Sequence, residues 1–335
     1  MFGGPPENAR TSFAVRQLWL LPLLIACAPP AKPPPPVAEE PFVLDSREDP
    51  KHPLGSLSAG SGAHQSAAFS YLPGHTRAPG IHGTVHGKPT WMLLDTGAST
   101  HFIEDWMLHR IFADDVNETA TDHIGRVVKT SRLDEPKIAL DGWGKTPETT
   151  AMIMNDTSES SDLGVTLSPQ KLASSGSAVV LDFPNKTITL ARSRDAAERA
   201  LPRGAALAPA QKCGGVYFVN AKVGDTEARL LVDTGAWASD LKPQSAAAHA
   251  LVMHTVNGQA KGYGAGGVIN SHRLPGITVT VGAVRQELEL QLLEQAADRG
   301  ACRSDGVVGM DLLQNCVLVI DEAAITGKCV VGNSF

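Results

Sequence analysis

Along residues 83–94 a strand-like run around Val85 breaks at His86-Gly87-Lys88 and resumes as an apolar run ending in Leu93-Leu94. Two such runs joined by a Gly-containing turn predict a β-hairpin. The pattern returns around Gly224-Asp225-Thr226, and sliding the chain along itself by 138 positions lays residues 83–98 on 221–236 without a gap. A repeat of this length indicates duplicated domains. Each copy ends in Asp-Thr-Gly-Ala, so Asp95 and Asp233 each stand at the end of a buried strand.

Later elements repeat in the same order. Residues 162–170 correspond to 305–313, with Ser168 and Asp311 as helix N-caps and Pro169 at the first helical position, where its missing N–H costs nothing. This alignment sets Thr166 opposite Gly309. Each half closes with a hairpin, residues 179–190 in the first and 317–326, running on to Val331, in the second. Apolar residues at helical spacing (Ile103, Trp106, Met107, Ile111) predict a helix over 103–112, and residues 243–252 predict an Ala-rich one. Residues 192–210, charged and Pro-interrupted, read as the connection between halves.

A length of 335 residues allows two domains, and 32 Gly, 23 Pro and 5 % aromatic residues favour a β-rich protein. A net charge of -6 without basic clusters excludes nucleic acid as a partner. Arg10 and Arg16 precede an apolar stretch over 18–26, too short to span a bilayer and of signal-peptide length. It ends in Leu24-Ile25-Ala26-Cys27, which resembles the lipobox of bacterial lipoproteins. That resemblance implies lipid on Cys27 and a membrane anchor, with Ala28 pointing to the outer membrane of the cell envelope; the alternative is an ordinary signal cleaved near Ala28. Residues 1–27 are therefore read as signal peptide and 28–68 as a Pro-rich tether or a pro-segment. The two domains take 69–193 and 194–335.

Leu93-Leu94-Asp95-Thr96-Gly97-Ala98 and Leu231-Val232-Asp233-Thr234-Gly235-Ala236 resemble the active-site turns of pepsin and retropepsin aspartic proteases, a resemblance that covers residues 70–335. It implies two similar, mainly β barrel-like lobes with a cleft between them, each giving one acid, in a monomer with pseudo-twofold symmetry. Val307-Val308-Gly309 matches the element that crosses behind the family's turn. Two carboxylates held together share one proton, so one can activate water while the other polarises a peptide carbonyl; this dyad is a standard example of split pKa values. The substrate is then a peptide or protein, and neither metal nor cofactor is required. Thr96 and Thr234 resemble the family's interlocking threonines, and Gly97 and Gly235 admit the backbone close to the carboxylates. Ala98 and Ala236 stand where a hydroxyl donor is common, which predicts a mildly acidic optimum. A silent peptide-binding lipoprotein of the same fold is the alternative.

Gly262-Tyr263-Gly264-Ala-Gly-Gly267 satisfies a dinucleotide-binding pattern, but no buried strand leads in and no helix follows; it reads as a flap hairpin closing on substrate. His123-Ile-Gly125-Arg126 is the corresponding turn of the first lobe. Ser99 follows Ala98 where Trp237 follows Ala236, so Trp237 is either an apolar wall of the cleft or a core residue. His82 and His86 lie in a hairpin without Cys or carboxylate partners nearby in sequence, and no metal is expected. Beyond Cys27 the cysteines are Cys213, Cys302, Cys316 and Cys329, an even number in an exported chain. Cys316 and Cys329 face each other across the last hairpin, leaving Cys213 with Cys302, though three connectivities are possible.

Overall fold

The computed structural model describes residues 65–330 apart from 73, 76, 109–117, 147–149, 155–162, 252–257, 265–266 and 298–301. The expected signal peptide, Cys27 and residues 28–64 lie outside them. The first described element is the strand Gln65–Ala68, so residues 65–68 belong to the folded lobe rather than to the tether.

The chain is mainly β, arranged in two sheets. The first hairpin joins Pro79–Val85 to Lys88–Leu94, with Val85 opposite Lys88. Its two-residue turn sets His86 and Gly87 at φ 48° and 80°, the left-handed pair that matches strand twist. Along Lys88–Leu94 the residues Thr90, Met92 and Leu94 are buried and their neighbours are less so, as period-two alternation requires. The second-lobe counterpart joins Val216–Val223 to Thr226–Val232 through Gly224, at φ 59°.

In the second lobe six strands pair in a ring: Val216–Val223, Thr226–Val232, Gly306–Val308, Asp240–Leu241, Val284–Leu293 and Gly267–Val281, which returns to the first through Val223↔Val279. The first lobe repeats the order, but its counterpart of the long strand is divided into Val127–Leu133 and Ile138–Leu140. Glu135 and Lys137, both at positive φ, lie in the break.

Three expectations are corrected. Strand Val165–Leu167 runs parallel to Lys88–Leu94 with Leu167 opposite Leu94, while Val308 lies opposite Val232. Leu167 therefore matches Val308, and Ser168, not Thr166, occupies the place of Gly309. The alignment through helix caps failed because Asp311 lies inside the helix Met310–Leu313, whose N-cap is Gly309. Ser168 does precede a 3-10 turn, Pro169–Lys171, but its side chain caps nothing. Second, residues 101–108 form a strand, His101–Glu104, and a 3-10 turn, Asp105–Leu108, rather than a helix. The strand fills a slot between Ala151–Met154 and Val165–Leu167, and such sheet pairing overrides a short apolar period. Third, a carboxylate does stand beside His82: the adjoining strand brings Asp141 Oδ2 within 2.7 Å of His82 Nδ1.

The two closing hairpins, Ala178–Asp182 with Thr187–Ala191 and Cys316–Ile320 with Ala324–Cys329, pair with each other through Val180↔Val319. One sheet therefore runs through both halves of the chain. Cys316–Ile320 is buried at all five positions, as expected of a strand covered on both faces. The 192–210 connection contains the helix Arg194–Arg199, whose N-cap Ser193 accepts from Ala196 N. The Ala-rich segment is helical over Ala246–Ala250, capped by Ser245. Cys213 is bonded to Cys302 and Cys316 to Cys329, the expected pairing. Among the described residues no helix is long and apolar enough to cross a membrane.

Candidate active site

Each Asp-Thr-Gly turn hangs from two parallel strands. Asp95 N donates to Leu167 O at 2.8 Å and Asp233 N to Val308 O at 3.1 Å, so the crossing strand fixes where each acid leaves its strand. The turns then lock to one another. Thr96 Oγ1 donates to Val232 O at 2.7 Å and accepts from Thr234 N at 3.1 Å. Thr234 Oγ1 donates to Leu94 O at 2.7 Å and accepts from Thr96 N at 3.1 Å. Both threonines are fully buried, where these bonds resist water and hold the two turns in one geometry.

Gly97 N donates to Asp95 Oδ1 at 2.7 Å; Gly235 N and Ala236 N donate to Asp233 Oδ1 at 2.8 and 3.1 Å. The glycines are required for a second reason. A Cβ at Gly97 would lie 2.6 Å from the Asp233 carboxylate, and one at Gly235 would lie 2.6 Å from Cγ of Asp95. Each turn thus presses its glycine against the opposite acid, which brings the two carboxyls within reach of each other's charge. Desolvation, then the Asp233 charge and the bond between the two carboxyls, holds Asp95 well above the usual carboxylate range, against the N–H groups of Gly97 and Ala98.

The supports beneath the two turns differ. In the second lobe Asp311 accepts from Ser239 Oγ, Ser239 N and Leu312 N, and Ser239 Oγ accepts from Gly309 N. In the first lobe His101 takes the place of Ser239, with Nδ1 accepting from Ser168 N at 3.1 Å. Gln170 takes the place of Asp311 and donates to Ala98 O at 2.7 Å and to Gly215 O, across the lobe boundary, at 3.2 Å. Desolvation and the Lys171 charge push His101 down to about 4, so it is a neutral acceptor. Gln170, His101, Ser239 and Asp311 escape a sequence reading because none belongs to the repeated tetrapeptide.

Gln259–Gly264 and Gly267–Val281 form the expected second-lobe hairpin, with Tyr263 opposite Val268 and Gly264 opposite Gly267; the Tyr263 side chain is outside the described residues. The first-lobe hairpin joins Glu118–Thr121 to Val127–Leu133, and its turn carries His123, Gly125 and Arg126. The two hairpins meet. Arg126 donates to Gly267 O and Val268 O, both at 3.0 Å, and Ala297 N donates to Ile124 O at 2.9 Å. A Cβ at Gly125 would strike Ala297 O, so glycine is needed for this approach. His123 Nε2 lies 3.4 Å from Asp240 Oδ2. Burial opposes protonation of His123, but the bond to Asp240 and the charges of Asp240, Asp233 and Asp122 hold its pKa above the ordinary histidine value. Trp237 is 46 % exposed rather than in the core, and its Nε1 lies 3.9 Å from where a Gly262 Cβ would stand. Ser99 packs on Gly215 instead.

No curated protein matches the chain. Among solved structures it is similar to the crystal structure of an aspartic proteinase from Irpex lacteus, at 12 % identity and TM-score 0.48, over 80 % of this chain and 98 % of that one. The model of the family described as aspartyl protease matches residues 81–167 and 219–312, together more than half of the chain and containing both Asp-Thr-Gly turns. The chain belongs to the aspartyl protease family, with two lobes of the pepsin and retropepsin kind.

Proposed function

We propose that the protein is an aspartic endopeptidase in which Asp95 and Asp233 hydrolyse a peptide bond with one activated water. The observation that supports this reading above all is the close approach of each turn to the opposite acid, held by the threonine interlock and permitted only by Gly97 and Gly235. We assign the shared proton to Asp95, whose carboxyl accepts one backbone N–H where that of Asp233 accepts two. Asp233 accepts two backbone N–H bonds and lies in the field of His123, and it serves as the base. Asp233 takes a proton from water as its oxygen adds to the carbonyl carbon and Asp95 donates its proton to the carbonyl oxygen; the C–N bond then breaks as Asp233 passes its proton to the amide nitrogen and Asp95 regains one from a hydroxyl of the diol. Trp237 forms an apolar wall of the cleft, and the two hairpins cover bound peptide. Disulfides are characteristic of exported proteins. The protease would act in the cell envelope, anchored through Cys27.

Hydrolysis of an unstructured protein at several pH values, with and without pepstatin, tests the reading. Wild type should be active at mildly acidic pH and inhibited by pepstatin, while Asp95→Asn and Asp233→Asn should each lose at least roughly a thousandfold in rate. Full activity in either variant would overturn the mechanism, and an optimum near pH 2 would overturn the expected pH range.

A further inference from the structure

Strand alternation divides the second-lobe barrel into two faces. Leu241, Leu290 and Leu274 point into the lobe core. Asp240, Gln291 and Ser271, an odd number of positions away on the same strands, point the other way, toward the first-lobe hairpin. There Ile124 packs on Ile269 and Leu293, and His123 reaches Asp240. Asp240 is 6 % exposed, and its Oδ1 is buried without a hydrogen-bond partner. Beside it, Gln291 Oε1 accepts from Ser271 Oγ at 3.0 Å. A buried carboxylate with one oxygen unmatched and the other on a single long imidazole contact is incompletely compensated.

Among the described residues His123 faces this carboxylate, and it belongs to the hairpin turn that lies across the cleft, within the field of Asp233. A peptide entering between hairpin and acids takes the space that the turn now fills. We propose that Asp240 is a specificity-determining residue, the acidic floor of a pocket that accepts a lysine or arginine side chain of the substrate, and that His123 occupies this pocket in the free protein. An ammonium or guanidinium group carries several donors and satisfies both carboxylate oxygens, which one imidazole nitrogen does not. The inference rests on the proposed peptidase reading for its cleft but makes its own claim about binding.

The test compares peptide libraries in which each position in turn carries lysine or its uncharged analogue norleucine, with cleaved bonds identified by mass spectrometry. Wild type should prefer lysine at one position by about ten- to a hundredfold in kcat/KM, the range of a charge-assisted hydrogen bond. Asp240→Asn should erase the preference. His123→Ala should keep it and lower KM, because the competing occupant is gone. Equal cleavage of both peptides at every position overturns the proposal, as does a preference that survives Asp240→Asn. A preference lost equally in His123→Ala would make Asp240 a holder of His123 rather than a recognition group. The wild-type comparison needs no variant to fold. The Asp95→Asn protein supplies a binding readout independent of turnover: calorimetry should show tighter binding of lysine than of norleucine peptides. If wild type cleaves nothing, the peptidase reading falls while this measurement still decides the pocket, with equal or absent binding overturning it.

Discussion

The two lobes hold identical Asp-Thr-Gly-Ala turns on different solutions of the same support problem. In each lobe the N–H after the crossing strand, Ser168 N or Gly309 N, needs a side-chain acceptor. The second lobe supplies Ser239, itself tied to the carboxylate of Asp311, and every polar group of that trio has a partner. The first lobe supplies His101, and around it His101 Nε2, Ser168 Oγ and Gln170 Oε1 are buried without hydrogen bonds. Such groups cost stability, on the order of 1 kcal/mol or more each. The second lobe also carries both disulfides. Symmetry is therefore strict in the threonine interlock and relaxed one layer below it.

Reduction should narrow this contrast most, because both bridges brace the better-satisfied lobe. The Cys213–Cys302 bridge spans 89 residues and Cys316–Cys329 spans 13. On the chain-entropy account these are worth about 5 and about 3 kcal/mol. Replacing the first pair with alanine should lower stability by more than replacing the second, measured by urea unfolding. Equal losses would show that loop length does not govern the effect.

The interlock should respond without regard to lobe. Thr96→Ala leaves Val232 O and Thr234 N unpaired, and Thr234→Ala leaves Leu94 O and Thr96 N unpaired, all in buried surroundings. Each substitution should cost roughly 3 to 4 kcal/mol, and activity should fall with it. A large difference between the two would mean that one lobe positions both acids.

His101 should make the first lobe acid-sensitive. Its folded pKa of about 4 lies below the usual 6.5, so between those values the unfolded chain binds a proton that the folded protein refuses. Stability is then fully present above pH 6.5 and falls as pH drops, by roughly 3 kcal/mol at pH 4. Installing the second-lobe residue, His101→Ser, should flatten that slope even though the smaller side chain lowers stability overall. A slope unchanged by the substitution would assign the acid sensitivity elsewhere. Asp95 has the opposite sign: a raised carboxyl pKa costs stability as pH rises above about 4, so Asp95→Asn should be the more stable protein at neutral pH.

How much of this was legible follows the range of each interaction. The acids, the interlocking threonines and the hairpin turns repeat at one fixed offset, and Gly87 and Gly224 mark backbone that must turn at positive φ. The cysteine pairing was legible because Cys316 and Cys329 fall opposite each other in a hairpin. The lower layer was not: Gln170 reaches Gly215, and Asp311 reaches Ser239, 72 residues away, and no local period encodes such contacts. Placing Asp311 on a helix cap was reasonable by propensity, and it failed because the carboxylate turns inward to Ser239 instead. The strand His101–Glu104 was missed for a related reason, since only its neighbours in the sheet distinguish it from a helix.

The smallest expected effect concerns how the lobes meet above the acids. Arg126 bonds its own Asp122 and two carbonyls of the opposite hairpin, but the guanidinium is about one-third exposed, so water screens much of its contribution. Arg126→Ala should therefore change global stability by no more than about 1 kcal/mol. Its effect should be local. Ala297 N is bonded to Ile124 O only while the first-lobe turn rests on the second lobe, so its hydrogen exchange reports that contact directly. Exchange at Ala297 should rise severalfold in Arg126→Ala while Thr234 N, inside the interlock, stays protected. If both amides accelerate together, the hairpins and the catalytic turns open as one unit, and the division between a strict centre and a relaxed periphery would have to be redrawn.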